Sequence, residues 1–237
     1  MKKVLSVVLA LVMVLCAFAC AEAAAVMTHD EYVAAELDSP VTIETYVQAH
    51  QSWWDGKVTV YAESEDGAYF LYNMACASAE DAALLVPGTK IAVTGYKSEW
   101  AGEVEIIDAT YEIIEGEAFI PEAKDVTALL ASDELINYQN EFVAFNGMTV
   151  EPANEAGAAF LYNWDGSGSH DANSDLYFNV SADGATYQFT VESYLCGNDT
   201  EVYAAVENLK VGDVIDMTGF LYWYNGVNPH IVSVIVK

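Results

Sequence analysis

Residues Gly88–Gly102 (GTKIAVTGYKSEWAG) and Gly212–Gly226 (GDVIDMTGFLYWYNG) align without a gap. Gly88, Ile91, Thr94, Gly95 and Gly102 match Gly212, Ile215, Thr218, Gly219 and Gly226, and Leu85 matches Leu209 just upstream. Ser64–Ala68 (SEDGA) matches Ser181–Ala185 (SADGA). Trp54-Asp55-Gly56 matches Trp164-Asp165-Gly166, and the stretch 41–49 weakly matches 142–150. The separation between partners grows steadily along the chain, so the second copy is a longer version of the first. Units of this size mean tandem domains, because a solenoid repeats every ~20–50 residues. The identity between 67–73 (GAYFLYN) and 157–163 (GAAFLYN) breaks that order and is read as chance.

Within each unit the pattern is mostly β. Tyr187, Phe189 and Val191 alternate with Gln188, Thr190 and Glu192, as Val58 and Val60 alternate with Thr59 and Tyr61; a period of two is that of a half-buried strand. Asp66-Gly67 and Asp183-Gly184 lie between such runs, where a hairpin needs positive φ. One helix falls between the third and fourth strands of each unit. The first is capped by Ser78 with Asp81 and closed by Pro87-Gly88. The second runs from about 200 to 209 with Val202, Ala205, Val206 and Leu209 on one face. A further helix opens each unit: Thr28 and Glu31 form a capping box before Tyr32, Val33 and Leu37, and 125–130 is its expected counterpart.

The order β-β-β-α-β-β, twice, resembles the OB-fold, a five-stranded Greek-key barrel. The resemblance is carried by Val93-Thr94-Gly95-Tyr96 with Trp100-Ala101-Gly102, and by Met217-Thr218-Gly219-Phe220 with Tyr224-Asn225-Gly226. It covers about 41–114 and 141–237 and is similar to tandem OB-fold, nucleic-acid-binding-like domains of secreted bacterial proteins. The implied fold is mainly β: two tandem OB barrels, each with one helix between strands three and four. The expected domains are a signal peptide at 1–25, a first barrel with its opening helix at 26–116, a linker at 117–124 and a second barrel at 125–237.

The N-terminus reads as an address. Lys2 and Lys3 precede an apolar run from Val7 to about Ala21, followed by Ala-Xaa-Ala patterns at Ala21–Ala23 and Ala23–Ala25. Two fates fit: cleavage and release, or lipid attachment at Cys20. No other stretch reaches the ~20 apolar residues of a membrane span. Beyond the leader only Cys76 and Cys196 remain, too few for a disulfide framework or a zinc site. Two separate buried thiols are expected, with a Cys76–Cys196 bond as the alternative.

Charge then filters function. The chain carries 36 Asp and Glu against 8 Lys and no Arg, a net −28, yet is 54% hydrophobic. That apolar content excludes disorder, and the charge disfavours phosphate backbones and anionic membranes. OB domains bind through strands two and three and the 1–2 and 4–5 loops. On this map Trp53, Trp54 and Trp164 fall in the first kind of loop, and Trp100 and Trp223, flanked by Tyr222 and Tyr224, in the second. These seven aromatics form the candidate ligand site, with Trp53 and Trp223 expected to be the exposed pair. The alternative is that they seal barrel ends or an interface.

The expected function is a secreted or cell-surface, non-enzymatic module binding a neutral glycan, or a protein partner, with nucleic acid disfavoured. The alternatives are a structural or protein-interaction module and an extracytoplasmic nucleic-acid-binding OB protein. No catalytic set, metal site or cofactor is expected. The insert at 165–175 resembles a calcium loop only in Asp165, Ser167 and Ser169: His170 replaces the glycine and Leu176 the bidentate glutamate, so a flexible polar loop is expected.

Overall fold

A computed structural model describes residues 25–237. The expected leader lies outside the described residues but for Ala25, and Cys20 lies outside them as well. No described helix is long and apolar enough to cross a membrane.

The first barrel is built from β1 (Pro40–His50), β2 (Lys57–Ser64), β3 (Gly67–Ala75), β4 (Lys90–Trp100) and β5 (Glu103–Ile113), closed in the order β1-β2-β3-β5-β4. It is preceded by helix α1 (His29–Ala34) and interrupted by α2 (Ala79–Ala82) between β3 and β4. The second unit begins with a short strand, β6 (Lys124–Asp125). It continues through β7 (Phe142–Glu151), β8 (Phe160–Tyr162), β9 (Leu176–Ala182), β10 (Ala185–Val191), helix α3 (Glu201–Glu207), β11 (Val214–Phe220) and β12 (His230–Val236). Its sheet runs β6-β7-β11-β12-β10-β9-β8, and a β7–β9 pairing closes the central five strands into a second barrel. In both, the third strand pairs parallel with the last, at Phe70↔Glu105 and Thr190↔His230. The tandem OB architecture read from the repeat is therefore the observed one.

Period-two patterning fills each barrel. Val41, Ile43 and Val47 of β1 point inward with Val58, Leu71, Ile91, Val93 and Ile106. The second core holds Val143, Phe145, Met148, Phe178, Phe189, Met217 and Ile231. The repeated Gly95 and Gly219 have a steric cause. Each sits beside a register shift in the fourth barrel strand. A Cβ at Gly95 would lie 2.7 Å from Ile106 Cγ2 and 2.8 Å from the Ile107 carbonyl oxygen, and one at Gly219 would meet the His230 carbonyl. The last two strands approach too closely there for any side chain.

The capping box is present, with Glu31 N–H donating to Thr28 Oγ1 at 3.3 Å and Thr28 N–H to Glu31 Oε2 at 2.9 Å. Tyr32 inserts into the first core, edge-on to Tyr69 at 5.1 Å. The expected helix at 125–130 is absent. Val126 N–H bonds Ala144 O at 3.0 Å, which draws Lys124–Asp125 alongside β7. The Asp125 carboxylate takes Thr127 N–H and Oγ–H, so the chain turns into a 3-10 turn at Thr127–Leu129 instead. The 67–73 and 157–163 segments are not equivalent: the first is β3, whereas β8 adds to the far edge of β9.

The 165–175 insert is pinned rather than loose. Ser169 N–H donates to Ser174 Oγ at 3.1 Å, Asn198 N–H to Asn173 Oδ1 at 2.6 Å, and His170 Nδ1 lies 2.8 Å from Glu207 Oε1. Cys76 and Cys196 are free thiols, each buried in its own core.

Candidate ligand cleft between the barrels

The barrels meet on aromatic rings. Tyr61 and Phe70, on the outer faces of β2 and β3, pack against Phe220 of β11. Tyr61 stacks on Phe220 at 4.6 Å, Phe70 meets Tyr222 at 5.2 Å, and Tyr222 stacks on His230 at 4.2 Å. Tyr61 Oη lies 2.6 Å from His230 Nδ1. Burial holds His230 down to about 3 and pushes the Tyr61 phenol up. Both groups are therefore neutral, and a single proton joins the phenol oxygen to the ring nitrogen.

Beside this seam opens a cleft of about 600 Å³, within the range of small-ligand sites. Its rings are Phe70 and Tyr72 from β3, Tyr177 from β9, and Trp164, Tyr222 and Tyr224 from loops. Trp164 is 74% exposed, Tyr224 52% and Tyr72 45%, so their faces are open to stacking. Gln51, Gln188 and Asn228 supply amides. Asn228 Oδ1 accepts from Thr190 Oγ1 at 2.8 Å. Two carboxylates complete the wall. Asp175 Oδ1 accepts from Ser193 N–H and Oγ–H at 2.8 and 2.6 Å. Glu192 accepts from Gln51 Nε2 at 3.1 Å and Leu195 N–H at 2.8 Å. Burial, then the charge of Asp175, raises Glu192 to about 7.

A second hollow of about 360 Å³ shares Gln51 and Tyr72 with the cleft and adds Trp54, Tyr194 and Lys57. Together they form one aromatic strip from Trp54 through Tyr72 to Tyr224 and Trp164. Of the seven sequence candidates, this strip gathers Trp54, Trp164, Tyr222 and Tyr224. It does not gather the other three. Trp100 is 62% exposed on the β4–β5 turn and lines neither hollow. Trp53 packs on the first core, with its indole N–H donating to Cys76 O at 3.0 Å. Trp223 packs on the second core and against Gly102 of the first barrel. The expected exposed pair is thus reversed. Trp53 is half-buried on the first core while its neighbour Trp54 is exposed.

Sequence reasoning missed Phe70, Tyr72, Tyr177 and His230. The signal was in β3 itself, where Tyr69 and Leu71 face the core while Phe70 and Tyr72 carry rings on the face that should be solvated. A strand aromatic on both faces has both faces covered or in use.

Lysines contribute little here. Lys97 Nζ caps α1 by donating to the carbonyls of Tyr32, Val33 and Ala35 at 3.1, 2.7 and 2.9 Å. Lys90 pairs with Glu44 and Lys237 with Asp216, and Lys124 lies over the Tyr138 ring. Lys57 is the lysine beside the cleft. Among the described residues no group of three His, Cys, Asp or Glu could hold a metal ion.

No protein-family model matches the chain, and no curated protein matches it. Solved structures do. The tetrameric p202 HIN2 matches at 11% identity and a TM-score of 0.35, over 85% of this chain and 96% of that one. A murine DNA binding protein bound with ds DNA matches at 11% and 0.35, over 84% and 97%. The Ifi202 HINa domain in complex with 20bp dsDNA matches at 12% and 0.35, over 85% and 96%. Likeness at this level assigns no ligand to this chain.

Two expectations are nonetheless corrected. The neutral-glycan reading of the aromatic loops does not stand, because the loops do not converge: Trp53 and Trp223 are packed, and Trp100 stands apart. The expectation that nucleic acid is a poor partner rested on net charge alone, and a sum over the whole chain does not describe a cleft lined by exposed rings and amides.

Proposed function

We propose that this chain is a non-enzymatic binding protein that takes single-stranded nucleic acid by its bases in the cleft between two OB barrels. The observation that carries this reading is the strip Trp54–Tyr72–Tyr224–Trp164. Exposed rings that line connected hollows suit unstacked bases, each stacked base being worth about 1–3 kcal/mol. The amides of Gln51, Gln188 and Asn228 are placed for base edges. We further propose that the protein acts outside the cytoplasm, on the strength of the N-terminal leader pattern, and that the units divide at 117–124.

The charge makes the reading sharply testable. Proteins that grip phosphates lose affinity as salt rises, by counterion release. Here phosphates meet a repelling surface with Lys57 as the cation at the strip. Affinity for a short oligothymidylate should therefore hold or rise between about 0.02 and 0.2 M salt, as screening shortens the repulsion. Fluorescence anisotropy reads this directly. Tyr72→Ala and Trp164→Ala should each weaken binding by about tenfold or more, and an abasic strand of equal length should not bind. Equal binding of the abasic strand, or no binding of oligothymidylate at any salt, overturns the proposal.

A further inference from the structure

The seam is closed by carboxyl groups of the first barrel that accept backbone N–H groups of the second. Glu63 Oε2 accepts Phe142 N–H at 2.7 Å. Glu103 Oε2 accepts Trp223 N–H at 2.8 Å and Gln139 Nε2 at 3.2 Å. Both side chains belong to buried residues, Glu103 completely.

The two oxygens of Glu103 differ. Oε2 has two donors, whereas Oε1 is buried with no partner. Asn140 also has a buried, unpartnered acceptor, Oδ1, while its Nδ2 donates to Val104 O at 3.2 Å. The Asn140 amide favours the ionised carboxyl. An ionised Glu103 would nonetheless hold charge on a buried oxygen that has no donor, a costly arrangement. A proton on Oε1 removes that charge.

We propose that the seam is a proton-locked hinge: Glu103, seconded by Glu63, clamps the second barrel while protonated, and loss of the proton lets the barrels part and separates the rings of the base cleft, which come from both barrels. The link to the cleft rests on the binding reading above, whereas the hinge itself does not.

Burial favours the neutral form and outweighs the donors, Trp223 N–H, Asn140 and Gln139 at Glu103 and Phe142 N–H at Glu63, which favour the ionised one. Around Glu103 stand Glu105 on its own strand, Gln139 and Asn140 on the turn before β7, the Trp223 N–H, and the phenols of Tyr32, Tyr61 and Tyr222. None of these is a cation. Glu63 faces Phe142 N–H, Glu141 and one cation, Lys124. Burial raises Glu103 to about 8 and Glu63 to about 7. In a parted state both would be solvated and return to the ordinary value of about 4.3. The closed state therefore binds protons that the open state releases. Closure is complete at low pH. It weakens about tenfold per pH unit per carboxyl as pH rises from about 4.5, and the loss is complete once pH passes about 8 for Glu103 and about 7 for Glu63.

Hydrogen exchange of the Trp223 and Phe142 amides in the full chain, corrected for intrinsic base catalysis, reads the hinge. In the native protein Trp223 protection should fall at least tenfold between pH 6.5 and 8.5, a window of about two units. Glu103→Gln keeps an acceptor for Trp223 and a donor for Asn140, and should hold protection constant. Glu63→Gln should do the same for Phe142 and serves if the first variant does not fold. Protection independent of pH in the native protein, or the same slope in the variants, overturns the hinge. Oligothymidylate affinity measured at the same pH values separates the two claims. Affinity that stays constant while protection falls upholds the hinge and overturns its link to the cleft.

Discussion

The two barrels share a strand order and differ in where they spend residues. The first is little more than the barrel, with an aliphatic core of Val, Ile and Leu around Ile43. The second adds β6, β8 and a long pinned loop, and centres its core on Phe145 against Phe189 at 4.6 Å. Register makes Ile43 and Phe145 equivalent, since one pairs with Val93 and the other with Met217. The repeated glycines serve barrel closure, and the repeated Trp54 and Trp164 stand at the two ends of the aromatic strip. Residues that do not repeat, such as Tyr177 in β9 and Tyr222 and Tyr224 after β11, build the rest of the cleft.

Three matched substitutions sharpen that contrast, each measured by urea unfolding. Phe145→Ala should cost about 3–5 kcal/mol and Ile43→Ala about 2–5, the larger ring leaving the larger void. Equal losses would mean that the second core collapses around the gap. Gly219→Ala and Gly95→Ala should follow at about 1–3 kcal/mol through overpacking. Gly219 should be the worse, because its Cβ would lie closer to the His230 carbonyl than a Cβ at Gly95 would to the Ile107 carbonyl. Smallest are the caps: Thr200→Ala and Ser78→Ala should each cost about 1 kcal/mol. Thr200 is expected to matter more, since α3 is seven residues long and α2 four.

The repeat made both barrels legible, because Thr94-Gly95 and Thr218-Gly219 encode a close strand approach that few folds require. The capping box at Thr28 was equally plain. The helix expected at 125–130 failed because Val126 found a tertiary partner, Ala144 O, that outweighs local preference. The site was half legible. Its loops carried aromatic residues, yet which tryptophan faces outward depends on tertiary packing, with Trp53 turned onto the first core and Trp223 onto the second. Net charge was the least informative signal, since a global sum does not describe a cleft whose walls are rings, amides and two carboxylates.

The buried thiols give the protein a built-in clock. Burial drives the Cys196 thiol up to about 12 and keeps it unreactive, and Cys76 is enclosed in the other core. A thiol reagent reaches Cys76 only when the first barrel comes apart, whereas Cys196 lines a hollow of about 330 Å³ at the seam and is reached when the barrels part as well. The order in which the two are modified tells whether the first barrel, or the second together with the seam, gives way first.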